Sequence, residues 1–267
     1  MKILVLKAPK ETAEDGDPYV NALRNVGLDA DGLEVLSFQY VNQDLLREKV
    51  LDPKNYGGFI FTSPRGVVAV EQCLKGTELG RNEWSSVPAY VVGEGTGKVL
   101  WEKFEIPSVG QDSGSAQKLA HFIRKEHTDG NRKPLLFPSA DLKRNALQEM
   151  LTEAGISVDV VTSYKTIPHP HLEAILKEKF SSNEGRPDVL VFFSPSGVNA
   201  VLSHPSDLQQ CKVVAIGPTT EAALKDRGMV VFATAENPSP TGLVEAIQAA
   251  LKKTAPELPH ATGEDLG

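Results

Sequence analysis

Short runs of β-branched, aromatic and leucine residues alternate along this chain with stretches whose apolar positions recur every three or four residues. The first pattern fits buried strands and the second fits helices with one apolar face. Strands are predicted at 3–6, 34–40, 59–62, 89–92, 135–137, 158–166, 189–193 and 213–216. Helices are predicted at 19–26, 67–74, 97–103, 117–127, 145–154, 171–180, 198–202, 220–227 and 241–252. Gly27 and Gly155 stand where two of these helices should be capped. No Asn-Gly hairpin signal separates the strands. Strand, helix, strand in repetition implies parallel sheets covered by helices on both faces.

The pattern occurs twice. IFTSPRGVVAV at Ile60–Val70 matches VFFSPSGVNAV at Val191–Val201, and YVVGEGTGKVL at Tyr90–Leu100 corresponds to VVAIGPTTEAAL at Val213–Leu224. The spacing from Gly93 to Leu119 equals that from Gly217 to Leu243, 26 residues in each case. A weaker repeat relates ILVLKAP with NALRNVGL near the start to Leu135–Ile156, with Leu23 and Leu151 each four residues before a glycine. The order of units is therefore a, b, a′, b′. It permits either consecutive domains or a nested design in which the N-terminal piece joins the C-terminal half. We expect the nested design, with residues 1–36 and 169–253 in one domain and 39–165 in the other. The fold class expected is α/β, two similar domains each with a parallel sheet flanked by helices. A two-stranded β ladder built from Val35–Tyr40 and Val161–Ile167 is expected to join them.

Composition narrows the function. A chain of 267 residues suits two domains, and 40% hydrophobic residues suffice for two cores. The net charge of −7 argues against a nucleic-acid or anionic-membrane surface. No apolar stretch is long enough for a membrane helix, and the start MKILVLK is too short an apolar run for a secretory signal. Cys73 and Cys211 have no CxxC neighbour, which points to a reducing cytosol. The polar tail from Thr254 is expected to be disordered.

Four turns carry the candidate chemistry: Thr62–Gly66, Gly93–Gly97, Ser194–Gly197 and Gly217–Thr220. Each stands where a strand's carboxyl end meets a helix start, where free N–H groups and the helix dipole favour an anion. Serine and threonine there are first of all N-caps. Four such turns in two related halves also suit a ligand rich in carboxylates or phosphates, held by donors that add no net charge. Arg65 is the best placed cation; Lys143, Arg144 and Lys212 are candidates equally suited to a solvated surface. GEGTG lacks the full G-x-G-x-x-G and no Walker lysine is present, so a nucleotide site is weakly supported. No histidine or cysteine grouping suggests a metal, and Ser63 and Ser194 have no evident base. Tyr164, in the extended junction VVTSYKTIPHP, reads as packing or as a proton donor.

FTSPRGV, YVVGEGT, LLFPSADLKR, SYKT, FFSPSGV, AIGPTT and TAENPSPTGL, in that order, resemble the uroporphyrinogen-III synthase family, eukaryotic type. The resemblance runs from Met1 to about Leu251. It implies two α/β domains with the active cleft between them. It also implies hydroxymethylbilane, a linear tetrapyrrole with eight carboxylates, as substrate. The implied reaction is loss of water and ring closure with inversion of the last pyrrole, through an azafulvene and a spirocyclic intermediate. Neither cofactor nor metal is implied, and the protein is expected to act as a monomer. By the same resemblance Tyr164 is the proton donor to the departing hydroxyl. Thr96 and Thr220 are cleft threonines, and Ser63, Arg65, Ser194, Ser196, Lys212 and Thr219 bind substrate. Glu94 departs from the family pattern, because it puts an acid beside an expected anion site. The competing reading is a non-catalytic two-domain binder of a small polyanion; a nucleotide-sugar transferase lacks a diphosphate-binding signature.

Overall fold

The computed structural model describes residues 1–9, 16–77, 79, 81–126, 133–140, 146–181, 186–204 and 208–254. The tail beyond residue 254, and the candidates Lys143 and Arg144, lie outside the described residues. The chain opens with β1 (Lys2–Lys7), α1 (Pro18–Asn25) and β2 (Asp29–Glu34). It continues with β3 (Leu36–Tyr40), α2 (Gln43–Val50), β4 (Gly58–Phe61), α3 (Pro64–Leu74), α4 (Arg81–Trp84) and β5 (Ala89–Val91). Next come α5 (Glu94–Phe104), β6 (Ser108–Val109), α6 (Ala116–Glu126), β7 (Leu135–Ala140), α7 (Ala146–Glu153) and β8 (Val158–Pro168). The last third holds α8 (Leu172–Ser181), β9 (Val189–Phe192), α9 (Pro195–Leu202), β10 (Lys212–Ala215), α10 (Pro218–Asp226), β11 (Val231–Thr234) and α11 (Pro240–Thr254).

The described residues fall into two compact units: 1–9, 16–37 and 168–254 in the first, and 38–167 in the second. The first unit's sheet has the order β11-β10-β9-β1-β2, with every pair parallel. Ile3 stands beside Val189, so the N-terminal strand pairs with the C-terminal half. The second unit's sheet has the order β3-β8-β7-β4-β5-β6, parallel from β8 to β6. Val41 N–H donates to Ser163 O and, at the other end, His169 N–H donates to Val35 O. Residue numbers rise along one segment as they fall along the other, so β3 lies antiparallel to β8.

Strand alternation sorts the core. In the first unit Leu4, Leu6, Leu190 and Phe192 pack in one cluster, while Ile3, Val5, Val189 and Val191 pack in another. In the second unit Phe59, Phe61 and Leu136 belong to one cluster, and Ile60, Leu135 and Phe137 to the other. Successive side chains point to opposite faces, so a strand apolar at every position needs helices on both. Two helix ends repeat the same cap. Gly27 N–H donates to Arg24 O and Leu28 N–H to Leu23 O; Gly155 N–H donates to Thr152 O and Ile156 N–H to Leu151 O. Both glycines have left-handed φ (81° and 78°), as this double-bonded helix end requires.

Some elements depart from the sequence expectation. The extended stretch expected at 34–40 is two strands, β2 and β3, meeting at the buried Val35. The sequence of β2, DADGLE, has poor strand propensity; six registered positions on β1 hold it extended. Helix α2 escapes the periodicity because only Leu46 and Val50 are buried on it. Helices α3, α9 and α10 start earlier than their apolar residues suggest, each with a proline in its first turn.

Candidate functional site

The four turns follow β4, β5, β9 and β10, and each begins a helix at the carboxyl edge of its sheet. They divide into two kinds. Ser63 is extended (φ −156°) and its Oγ accepts from Arg65 N–H at 3.3 Å. Ser194 is extended (φ −161°) and its Oγ accepts from Gly197 N–H at 3.1 Å. Both hydroxyls are thus helix N-caps. Ser194→Ala is expected to lower stability by about 1 kcal/mol, measurable as a shift in denaturation midpoint. Ser196, exposed one turn on, should leave stability unchanged when replaced by Ala.

Helices α5 and α10 are capped instead by Gly93 and Gly217, which bring no side chain to the cap. No capping side chain accepts from their first-turn N–H groups, and the helix dipole adds to the pull of those ends on an anion. Three residues after each cap stand Thr96 and Thr220, 5% and 3% exposed, in equivalent places. Thr96 N–H donates to Gly93 O and Thr220 N–H to Gly217 O. Glu94, the first residue of α5, is exposed and with Gly97, Lys98, Trp101 and Gln111 lines a groove toward β6.

The second unit gathers Ser63, Arg65, Thr96 and Tyr164 on one sheet edge. The guanidinium of Arg65 lies 3.8 Å from the Phe38 ring centroid, which fixes a cation just beyond the strand ends. Gly66 is required there, since a Cβ would come 2.8 Å from Pro138 O on the neighbouring strand. Tyr164 owes its place to a bulge. Ser139 pairs with Thr162 but Ala140 pairs with Tyr164, so Ser163 and Tyr164 together oppose one residue. Both are buried, as neighbours can be in a sheet covered on both faces, and the extra residue sets which face Tyr164 presents. Ser163 Oγ donates to Ser139 O at 3.2 Å and pins the bulge.

The first unit gathers Ser194, Ser196, Thr219 and Thr220 on its edge, with Ser196 and Thr219 exposed. Lys212 is not among them. It begins β10, at the opposite end of the strand from Thr219, and its Nζ stands 4.7 Å from the Phe232 ring. The carboxyl edge of this unit has another cation, Lys7, paired with Asp17 at 2.6 Å. Sequence reasoning passed over both. The available signal was a lysine closing the first strand and an aspartate directly before the Pro-Tyr that opens α1. Phe38, the platform for Arg65, gave no signal.

Other chemistry finds little footing. Burial raises both thiols, pushing Cys73 up to about 11, so neither is a ready nucleophile. Among the described residues no group of three His, Cys, Asp or Glu is placed to hold a metal ion. No helix among them is long and apolar enough to cross a membrane.

Comparison with known proteins finds one family. The profile of the uroporphyrinogen-III synthase (HemD) family matches residues 17–245. Uroporphyrinogen-III synthase of Schizosaccharomyces pombe is 28% identical over 244 residues, covering 90% of this chain and 94% of its own. That of Saccharomyces cerevisiae is also 28% identical, over 219 residues, covering 74% and 77%. Among solved structures, uroporphyrinogen-III synthetase from Helicobacter pylori aligns with a TM-score of 0.60 at 21% identity. It covers 94% of this chain and 100% of that one, and so shares the fold.

Proposed function

The chain belongs to the uroporphyrinogen-III synthase family, and from that premise we propose that it closes hydroxymethylbilane to uroporphyrinogen III. The observation that supports the reading is the second unit's sheet edge, along which the connections bearing Ser63, Arg65 and Thr96 and the strand position of Tyr164 fall. Tyr164 donates its phenolic proton to the hydroxymethyl oxygen. The lone pair of the adjoining pyrrole nitrogen expels that oxygen as water, and return of the nitrogen's proton to the phenolate leaves the azafulvene. The substituted carbon of the last ring then attacks, and the spirocyclic intermediate rearranges to the inverted macrocycle.

The protein's task is mostly conformational. The linear substrate closes unaided to the uninverted isomer, so the enzyme must hold the last ring in the less accessible orientation. Backbone donors at α5 and α10 and the guanidinium of Arg65 suit substrate carboxylates, and the backbone donors do so without adding charge to a chain of net charge −7. Ser196, Thr219 and Thr220 supply polar groups on the first unit's edge. The reading makes the protein a cyclising hydro-lyase that works without cofactor in the cytosol. The test is to supply hydroxymethylbilane and separate the uroporphyrin isomers after oxidation. Isomer III is expected; isomer I alone, as in a blank without protein, would end the proposal.

A further inference from the structure

Strand β1 closes on Lys7, whose ammonium lies 2.6 Å from Asp17 Oδ2. The same nitrogen stands 4.9 Å from the Tyr19 ring centroid and 5.0 Å from that of Phe193. The two rings meet edge to face at 4.6 Å, and the Tyr19 hydroxyl donates to Pro238 O at 2.8 Å. Two strand-to-helix connections of the first unit, β1–α1 and β9–α9, therefore meet at one cation, and the Tyr19 hydroxyl ties the β11–α11 connection to the same ring.

Asp17 has a second task. Its Oδ1 accepts from Tyr19 N–H at 2.8 Å and Val20 N–H at 3.3 Å, capping α1. Burial works against the charged carboxylate, yet the Lys7 hydrogen bond and the two backbone N–H groups hold its pKa below the ordinary value. An ammonium together with two helix-start N–H groups is the donor set that any carboxylate would seek. Asp17 fills that place from within the chain.

Lys7 is also the one Lys or Arg among the described residues on this sheet edge, since Lys2 and Lys212 stand at the amino ends of their strands. Its side chain keeps 16% exposure, so it is not sealed off. The rings of Tyr19 and Phe193 position the ammonium through their faces without consuming its N–H donors. Arg65 over Phe38 is the corresponding arrangement in the second unit. We propose that Lys7 binds a carboxylate of the substrate, and that Asp17 is a resident carboxylate competing for it. This rests on the polycarboxylate substrate proposed above.

Three variants test it: Lys7→Met, Lys7→Arg and Asp17→Asn, each assayed for isomer III formation over a range of hydroxymethylbilane concentrations. Asparagine caps a helix about as well as aspartate, so Asp17→Asn keeps the start of α1 while removing the competing charge. Lys7→Met is expected to raise KM about tenfold, the loss of one charge-assisted hydrogen bond, with kcat moving far less. Lys7→Arg should restore most of that loss, and Asp17→Asn should lower KM. A purely structural ion pair predicts a different result, with Lys7→Met and Asp17→Asn impairing the protein alike. An Asp17→Asn protein whose KM is raised or unmoved overturns the proposal, as does a Lys7→Met protein whose KM is unmoved. If Lys7→Met does not fold, the sign of the KM change in Asp17→Asn decides alone. Wild-type protein in the same assay separates the two readings. Isomer I alone from wild type defeats the function itself, whereas isomer III from wild type with no opposed shift in the variants defeats only the role of Lys7.

Discussion

Tyr164→Phe is expected to slow isomer III formation about a hundredfold while leaving the fold in place, because a positioned acid contributes at least that much to a proton transfer. The phenyl ring retains the packing of a residue only 5% exposed, so the structural loss is confined to the hydroxyl, about 1 kcal/mol. What disappears is the proton that turns a poor leaving group into water. The readout is kcat at saturating hydroxymethylbilane, with the isomer ratio followed alongside. As the enzymatic rate falls, unaided closure takes a larger share and isomer I should rise. A Tyr164→Phe protein with wild-type kcat would show that the proton comes from elsewhere. The bulge gives a second handle on the same residue. Ser163 Oγ holds it through Ser139 O, so Ser163→Ala should reduce kcat by a smaller factor through misplacement of the neighbouring phenol.

The largest stability effect is expected from Trp84→Ala, at about 3–5 kcal/mol. Trp84 has no exposed surface and anchors the four-residue helix α4 in the second unit's core. Its ring stacks 3.7 Å from Phe59 and 5.9 Å from Tyr56, centroid to centroid. Its indole N–H donates to Val50 O at 2.9 Å. Truncation therefore opens a large cavity and leaves that carbonyl without its donor, two penalties that add. Urea denaturation followed by circular dichroism should show the midpoint falling. Because Trp84 lies in a core cluster and not on the sheet edge, kcat of the folded fraction should stay near wild type. A loss of kcat without loss of stability would contradict this placement.

Much of the fold was legible in local sequence because local physics sets it. All-apolar strands such as GFIF and VLVF are consistent only with sheets covered on both faces, and the two clusters of each unit are the consequence. The Gly27 and Gly155 caps were legible because only glycine takes that left-handed turn without strain. The polar strand β2 was not legible, since its extended form depends on β1 and not on its own residues. The candidate site divides the same way. Ser63 and Ser194 were legible at helix starts, and as N-caps, from Ser-Pro-x-Gly alone, and the hydrogen bonds supply which N–H each hydroxyl accepts from. Lys212 was equally suited to a site or a solvated surface until its strand was oriented, which put it at the opposite edge.

By itself, then, the sequence determined that this is a duplicated α/β chain whose glycine- and serine-rich turns start helices, because periodicity and turn chemistry act over a few residues. It also carried the ordered motifs of its family. Which strand lies beside which was decided only by tertiary structure, because pairing Ile3 with Val189 depends on burial across more than half the chain length. The same is true of the bulge that inserts Ser163 before Tyr164 and of the ring beneath Arg65. Each depends on residues far apart or shifted in register, and no local pattern encodes it.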